Sequence, residues 1–291
     1  MRFKNLIRSI FYAIYATSRK FLGGRGLRKI TFVNTIFGFV ARHAKNNLIE
    51  INGYKMYLDV VEGIDPSKKG VYELETTNVF KKNIRWGQVV IDVGTDIGYF
   101  TLLSAKLVGP SGKVFAFEPN PLSFSILKKN IQINNFENVF AVNKAVADKK
   151  GELPFYLHGP HSVLGYDRFS NPKTRTVVET VRLDDFLGSN QRIDFAKIDT
   201  EGSDAKVLRG MKNLLMVNRD IKLVVEFYPI LLERGGDDPR QFLEGLVTSG
   251  FVIYDICGDG GVEKSVSIDD LLAKYSHVER STNLFCERRK H

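Results

Sequence analysis

One heptapeptide limits the architecture of this chain more than any other part of it. Gln88 to Gly94 reads QVVIDVG, a near-continuous apolar run that ends on an acid, a valine and a glycine. A strand with one face in water alternates apolar and polar residues. A strand without that alternation is buried on both faces, as in parallel sheets covered by helices on either side. The expected partners follow in order: a helix from Tyr99 to Val108, a strand over 113–119 (KVFAFEP), a helix from Leu122 to Asn134 and a strand over 138–146 (NVFAVNKAV). Together these are three strands of a doubly wound half.

The segment 151–183 interrupts the rhythm, with ELPFYL and TVVETVRL on either side of a polar loop, and reads as a two-stranded insertion bordering the site. Alternation resumes with a strand over 193–199 (IDFAKID), a helix from Ala205 to Leu215 and a strand over 222–227 (KLVVEF). Asp238-Pro239 then supplies an N-cap and a first-turn proline to a helix from Arg240 to Ser249. FVIYDI and an antiparallel last strand, TNLFCER, close the sheet. Ahead of these elements, Asn52-Gly53 within LIEINGYKMYLDV is a strong hairpin signal. Residues 1–48 read differently again, as two amphipathic helices parted by Gly23, Gly24 and Gly26, with Phe3, Leu6, Ile10, Phe11 and Ile14 on the apolar face of the first. The expected organisation is a basic helical extension over 1–48 and one Rossmann-like α/β domain over 49–291, its sheet mostly parallel.

Charge narrows the partners. The net charge of +9 resides in the first 50 residues, where ten Lys or Arg face the single acid Glu50. The rest is balanced, so the body offers no basic footprint for nucleic acid. Cys257 and Cys286 make neither a disulfide framework nor a zinc cluster, which suits a reducing cytoplasm. The apolar stretch from Ser9 to Ala16 is far shorter than the ~18 residues that read as a membrane span.

Open α/β sheets bind ligands beyond the carboxyl ends of their strands, where the topology switches direction. The first strand ends there in Asp92-Val93-Gly94-Thr95-Asp96-Ile97-Gly98. Gly94 and Gly98 permit a sharp turn and a close ligand approach, and Asp92 is an acceptor for a ligand ammonium. A dinucleotide fingerprint counted from Gly94 requires glycine where Asp96 and Tyr99 stand, and acids in place of a pyrophosphate site point to a cationic ligand. Glu118, 24 residues beyond Gly94, is placed to accept two hydrogen bonds from a ribose diol. The pair points to S-adenosylmethionine rather than NAD. The plainer reading is that Asp92 and Glu118 only cap the turns before Gly94 and Pro119.

Six blocks in order, VVIDVGTDIGYFTLLSA, FAFEPNPLSFSILKKNI, NKAVADKKGELPFYL, VRLDDFL, FAKIDTEGSDAKVLRGM and VVEFYP, resemble the successive motifs of FkbM-type methyltransferases, from Val71 to Pro229. The resemblance implies a Rossmann-like methyltransferase sheet and O-methylation of sugars, polyketides or cell-surface glycans. It also implies cofactor contacts at Asp92, Gly94, Gly98 and Glu118, with adenine-side contacts from Asn120 and from the end of the third strand near Ala145; Thr95 and Asp96, within the same loop, are expected to border the cofactor as well. Glu73, with Glu75, falls where the family carries an acidic pair; contact with the amino-acid end of the cofactor and a solvated helix start both fit. The family has Ala-Asn where this chain has Thr95-Asp96, which adds a negative charge near the methionine end.

Methyl transfer from a sulfonium is an in-line displacement, so positioning dominates, but a base must still take the hydroxyl proton. Asp199 and Glu201 lie where the fold puts acceptor-facing groups, and His161 in the insertion loop titrates near neutrality. Asp199, Glu201 and Glu226 also have metal-ligating chemistry, but carboxylates at neighbouring strand ends are common in this fold and no metal is assigned. The expected function is methylation of a saccharide or glycoconjugate hydroxyl, the acceptor being a small molecule or a lipid-linked glycan. A cofactor-binding protein without turnover and a nucleotide-dependent oxidoreductase are the alternatives. Residues 1–48 are expected either to lie on an anionic membrane surface at the inner face or to pack on the protein or on a second copy.

Overall fold

The structure, a computed structural model, describes residues 48–58, 71–157, 163–164, 174–256, 262, 264–276 and 279–289. Strands β1 (Leu48–Ile51) and β2 (Tyr54–Tyr57) form the hairpin, and Asn52 and Gly53 both take the left-handed φ that a two-residue hairpin turn needs. Then come α1 (Leu74–Asn83), β3 (Val89–Val93), α2 (Tyr99–Val108), β4 (Lys113–Phe117), α3 (Pro121–Ile133) and β5 (Val139–Val142). The middle of the chain holds β6 (Ala145–Val146), β7 (Gly151–Leu157), β8 (Val163–Leu164), β9 (Thr174–Val181) and α4 (Leu183–Phe186). The last part holds β10 (Phe195–Ile198), α5 (Asp204–Gly210), α6 (Lys212–Val217), β11 (Lys222–Phe227), α7 (Pro229–Arg234), α8 (Pro239–Thr248), β12 (Phe251–Asp255), α9 (Ile268–Tyr275) and β13 (Thr282–Arg288).

Seven strands form the central sheet in the order β12-β13-β11-β10-β3-β4-β5, with β13 alone running against its neighbours. All five residues of β3 are buried, as its unbroken apolar run requires. Ile91, Val93, Ala196 and Ile198 face one core with side chains from α5, α6, α8 and α9. Val90, Phe195 and Val224 face the other, with α1, α2 and the hairpin. The chain runs from β3 outward through β4 and β5 and returns to β10 on the other side of β3. The switch point is therefore the crevice between β3 and β10, where ligands of such sheets sit.

Three expectations change. The strand expected over 138–146 is two strands: β5 stops at Val142, and β6 leaves the central sheet to pair with β9. The insertion expected as two strands is a four-stranded sheet, β6-β9-β7-β8, with its own small core of Ala145, Phe155, Leu164 and Val178. The helix expected from Ala205 to Leu215 breaks at Met211, next to Gly210, where a side chain would collide with the carbonyl oxygen of Ala147 at 2.2 Å. The helical extension proper, residues 1–47, lies outside the described residues, as do His158, His161 and Cys257. Among the described residues no helix is long and apolar enough to cross a membrane.

Candidate active site

Register assembles the site. Asp92 on β3 is the partner of Lys197 on β10, and both face the core that carries α2. Lys197 is almost fully buried, its ammonium 2.7 Å from Asp199 Oδ2 and 5.0 Å above the Phe100 ring. Burial alone would lower the affinity of this amine for its proton; Asp199, Asp92 and Glu73 outweigh it and hold the ammonium above its ordinary range. Lys197 is the site residue that the sequence reading lacked. Its signal was present: a lysine between Ala196 and Ile198, in a strand whose neighbours on both sides are buried, demands a charge partner.

Asp92 is fully buried. Thr101 donates its hydroxyl to Oδ2 at 2.5 Å, while Oδ1 has no hydrogen-bond partner among the described residues. Burial raises its pKa and the charge of Lys197 opposes the rise. An orphaned, buried carboxylate oxygen at a switch point is a place for a cationic donor.

Glu118 follows β4, and each of its oxygens is braced by a backbone N–H: Asp96 donates to Oε2 at 2.8 Å and Asn120 to Oε1 at 2.7 Å. Burial, reinforced by the charge of Asp96, pushes its pKa up to about 8. The braces fix the carboxyl in place and leave lone pairs free, the requirement for holding a diol. Asp96 itself takes φ 48, a left-handed conformation that Asp and Asn tolerate better than other side chains. Asp at this position suits the left-handed backbone as Asn would, and it adds a negative charge.

The glycines serve the protein's own packing. A Cβ on Gly94, at φ +77, would lie 1.8 Å from the Asp199 carbonyl oxygen, so the loops after β3 and β10 approach as closely as two backbones can. A Cβ on Gly98, the N-cap of α2, would lie 2.5 Å from Leu127 on α3. Thr95 is buried beside them. Asn120 is the N-cap of α3, its Oδ1 accepting from Leu122 N at 3.0 Å. Ala145 requires a correction. It is not at the end of the third strand: it begins β6 and packs its methyl into the second sheet's core. Asn143 occupies the place assigned to it, donating to the carbonyl oxygens of Glu118 at 2.7 Å and Pro119 at 3.2 Å.

Glu73 caps α1 at φ 41, and Asn283 of β13 donates to its Oε2 at 2.8 Å. Burial raises its pKa, opposed by Lys197. Glu75, two residues on, is exposed, so the acidic pair does not act as a pair. Beyond Asp199 the loop carries Glu201 at φ 54, and Asp204 ties it down by accepting from the N–H groups of Thr200 at 3.0 Å and Gly202 at 3.2 Å. Burial, with the charge of Asp199, raises Asp204 to about 7. Glu226 is on β11. Burial first, then Asp199, Glu201 and Asp204, hold its carboxyl well above the usual range.

A family model described as the methyltransferase FkbM domain matches residues 92–253, more than half of the chain. Methyltransferase 1 of Beauveria bassiana is 29% identical over 144 residues, 42% of this chain and 57% of the relative. The hexuronic acid methyltransferase AglP of Haloferax volcanii is 27% identical over 172 residues, 58% of this chain and 69% of that one. The 31-O-demethyl-FK506 methyltransferase FkbM of Streptomyces tacrolimicus is 31% identical over 163 residues, 45% of this chain and 62% of that one. Each alignment thus spans about six- to seven-tenths of the relative's length. The matched region holds the strand ends that carry Asp92, Glu118, Lys197 and Asp199, and the chain belongs to the FkbM family of S-adenosylmethionine-dependent methyltransferases.

Proposed function

We propose that this protein transfers a methyl group from S-adenosylmethionine to a hydroxyl of a saccharide or glycoconjugate. The observation that carries the reading is the pairing, across one switch point, of Asp92 with a free buried oxygen and Glu118 with two backbone braces. The residues fit the cofactor: Asp92 Oδ1 is an acceptor for its ammonium, Glu118 for its ribose diol, and the Gly94 to Gly98 loop lies between them. When bound, the cofactor supplies an electrophilic methyl carbon on a sulfonium. The chain's part is to orient the acceptor oxygen and take its proton, for which Asp199 and Glu201 flank the crevice and His161 belongs to the neighbouring insertion. The saccharide half of the reading draws support from AglP, a hexuronic acid methyltransferase by name.

Calorimetry with S-adenosylmethionine and with NAD, followed by labelled methyl transfer to a glycan and lipid extract, tests the reading. Binding of NAD alone overturns it. Cofactor binding with no transfer to any fraction leaves a binding protein without turnover. The ten basic residues among the first 50 support peripheral attachment of residues 1–48 to an anionic membrane at the cytoplasmic face, with a lipid-linked acceptor. Sedimentation with anionic vesicles, comparing the full chain with one starting at Leu48, decides that point. Equal recovery of both in the supernatant removes the membrane and leaves packing or self-association.

A further inference from the structure

Two buried carboxylate oxygens lack a hydrogen-bond donor among the described residues: Asp92 Oδ1 and Glu226 Oε2. The first is accounted for by the cofactor's ammonium. The second is two strands away on the same face of the sheet. Register pairs Ile198 with Val225, so the next positions, Asp199 and Glu226, are neighbours at the carboxyl ends of β10 and β11. On its other side Glu226 is the partner of Asn283, whose amide is engaged by Glu73.

We propose that Glu226 is the catalytic base, taking the proton of the acceptor hydroxyl on Oε2. The proposal rests on the methyltransferase reading. Four of the other acids, Asp199, Asp204, Glu73 and Glu118, are occupied by other work. Asp199 Oδ2 is 2.7 Å from the Lys197 ammonium, and a proton on that carboxylate would weaken a buried ion pair. Both oxygens of Asp204 accept backbone N–H groups of the loop. Glu73 is held by Asn283 and Glu118 by its two braces. Asp199 is then a positioning residue, fixed by Lys197 beside the base.

The step balances. The acceptor oxygen bonds the methyl carbon as the carbon–sulfur bond breaks, its electron pair staying on sulfur, and the hydroxyl proton passes to Glu226 Oε2. The products are a methyl ether, S-adenosylhomocysteine and neutral Glu226, which returns the proton to water. The charged groups that act on Glu226 are Asp199, Glu201 and Asp204, with the Ser281 hydroxyl from the segment before β13 as its hydrogen-bond donor. Burial, reinforced by the three acids around it, raises its proton affinity, which suits a base. A cofactor cation bound in the crevice would favour the ionised form.

The test uses the full chain, methyl-labelled S-adenosylmethionine and a glycolipid extract as acceptor. Glu226→Gln is expected to bind the cofactor within about threefold of wild type by calorimetry while transfer falls by on the order of 100-fold or more. Wild type is expected to show a rise in kcat with pH whose midpoint lies above the ordinary carboxylate range, and Glu226→Gln to lack it. Glu226→Asp, which keeps the carboxylate on a shorter arm, is expected to recover part of the transfer together with the pH dependence. Transfer by Glu226→Gln within tenfold of wild type, with the same pH profile, overturns the assignment. So does a Glu226→Asp variant that binds cofactor and is as inactive as Glu226→Gln. Failure of wild type itself to bind the cofactor or transfer label defeats the underlying function instead, and the two failures are told apart by that control.

Discussion

Replacing Lys197 with Met removes the charge that holds three acids together while keeping much of the side chain's volume. Lys197 is 3% exposed, is 2.7 Å from Asp199, and acts against the raised proton affinity of Asp92 and Glu73. Removing one partner of a buried ion pair costs ~3–5 kcal/mol, because the remaining charge is left without compensation. At ~2.1 cal/mol/K per residue the unfolding entropy of 291 residues is about 0.6 kcal/mol/K. The melting temperature of Lys197→Met should therefore fall by about 5–8 °C. The loss also has a pH signature. Without Lys197, the folded-state pKa values of Asp92 and Glu73 rise further above their unfolded values. A carboxyl raised in the fold favours folding when protonated, so the deficit grows as the pH rises above the ordinary carboxylate range and shrinks as it falls back toward it. Calorimetric melts of the two proteins from that range upward in pH check both statements. A deficit below 2 °C, or one that does not change with pH, would refute the idea that Lys197 neutralises this cluster.

Asp92→Ala and Glu118→Ala should each weaken S-adenosylmethionine binding by ~1.5–3 kcal/mol, about 10- to 100-fold in Kd, since each removes an acceptor from a charged or paired donor; titration calorimetry measures it, and an unchanged Kd for either variant removes that residue from the cofactor site. Gly94→Ala combines a left-handed φ, costing ~1–2 kcal/mol, with a Cβ 1.8 Å from the Asp199 carbonyl oxygen. Overpacking adds ~1–3 kcal/mol, so urea unfolding should show a loss of more than ~2 kcal/mol. Glu118 has a folded pKa of about 8 against an unfolded value of ~4.3, so its contribution is full below the unfolded pKa and is lost as pH rises through the folded one. The protein without cofactor should gain about 2 kcal/mol between pH 8 and pH 6 from this group, and Glu118→Gln should flatten that slope in denaturant titrations at the two pH values.

Much of the fold was legible because its strongest signals are local. The unbroken run of β3, the left-handed Asn52-Gly53 turn and the Asp238-Pro239 helix start each depend on a few adjacent residues, and the structure reproduces all three. What was not legible depends on contacts distant in sequence. Nothing in NVFAVNKAV announces that its last residues pair with β9, because β9 lies some 30 residues further on. The misplacement of Ala145 follows from that missed pairing. Gly210 reads as an ordinary helical residue until Ala147 is known to press against it. In the site, Asp92, Glu118 and Asp199 could be read from strand ends and spacing. Lys197 and Glu226 could not be placed with them until register put both on the face of β3 that carries Asp92.

A site lined with so many acids poses a problem for methyl transfer. The reacting sulfur loses its positive charge on the way to product, so a strongly negative surrounding stabilises the bound cofactor more than the transition state, and such binding does not speed the reaction. The protonation pattern softens the conflict. Burial holds Glu118 near 8 and Glu226 well above its ordinary range, so in the absence of ligand both bind a proton more readily than an ordinary carboxylate. Lys197 offsets one further charge through Asp199. On the proposed reading Asp92 would meet the cofactor's ammonium, whose charge does not change during transfer. On that reading binding strength would be drawn from a charge that persists, while the ionisation of Glu226 that a bound cation favours would serve proton removal.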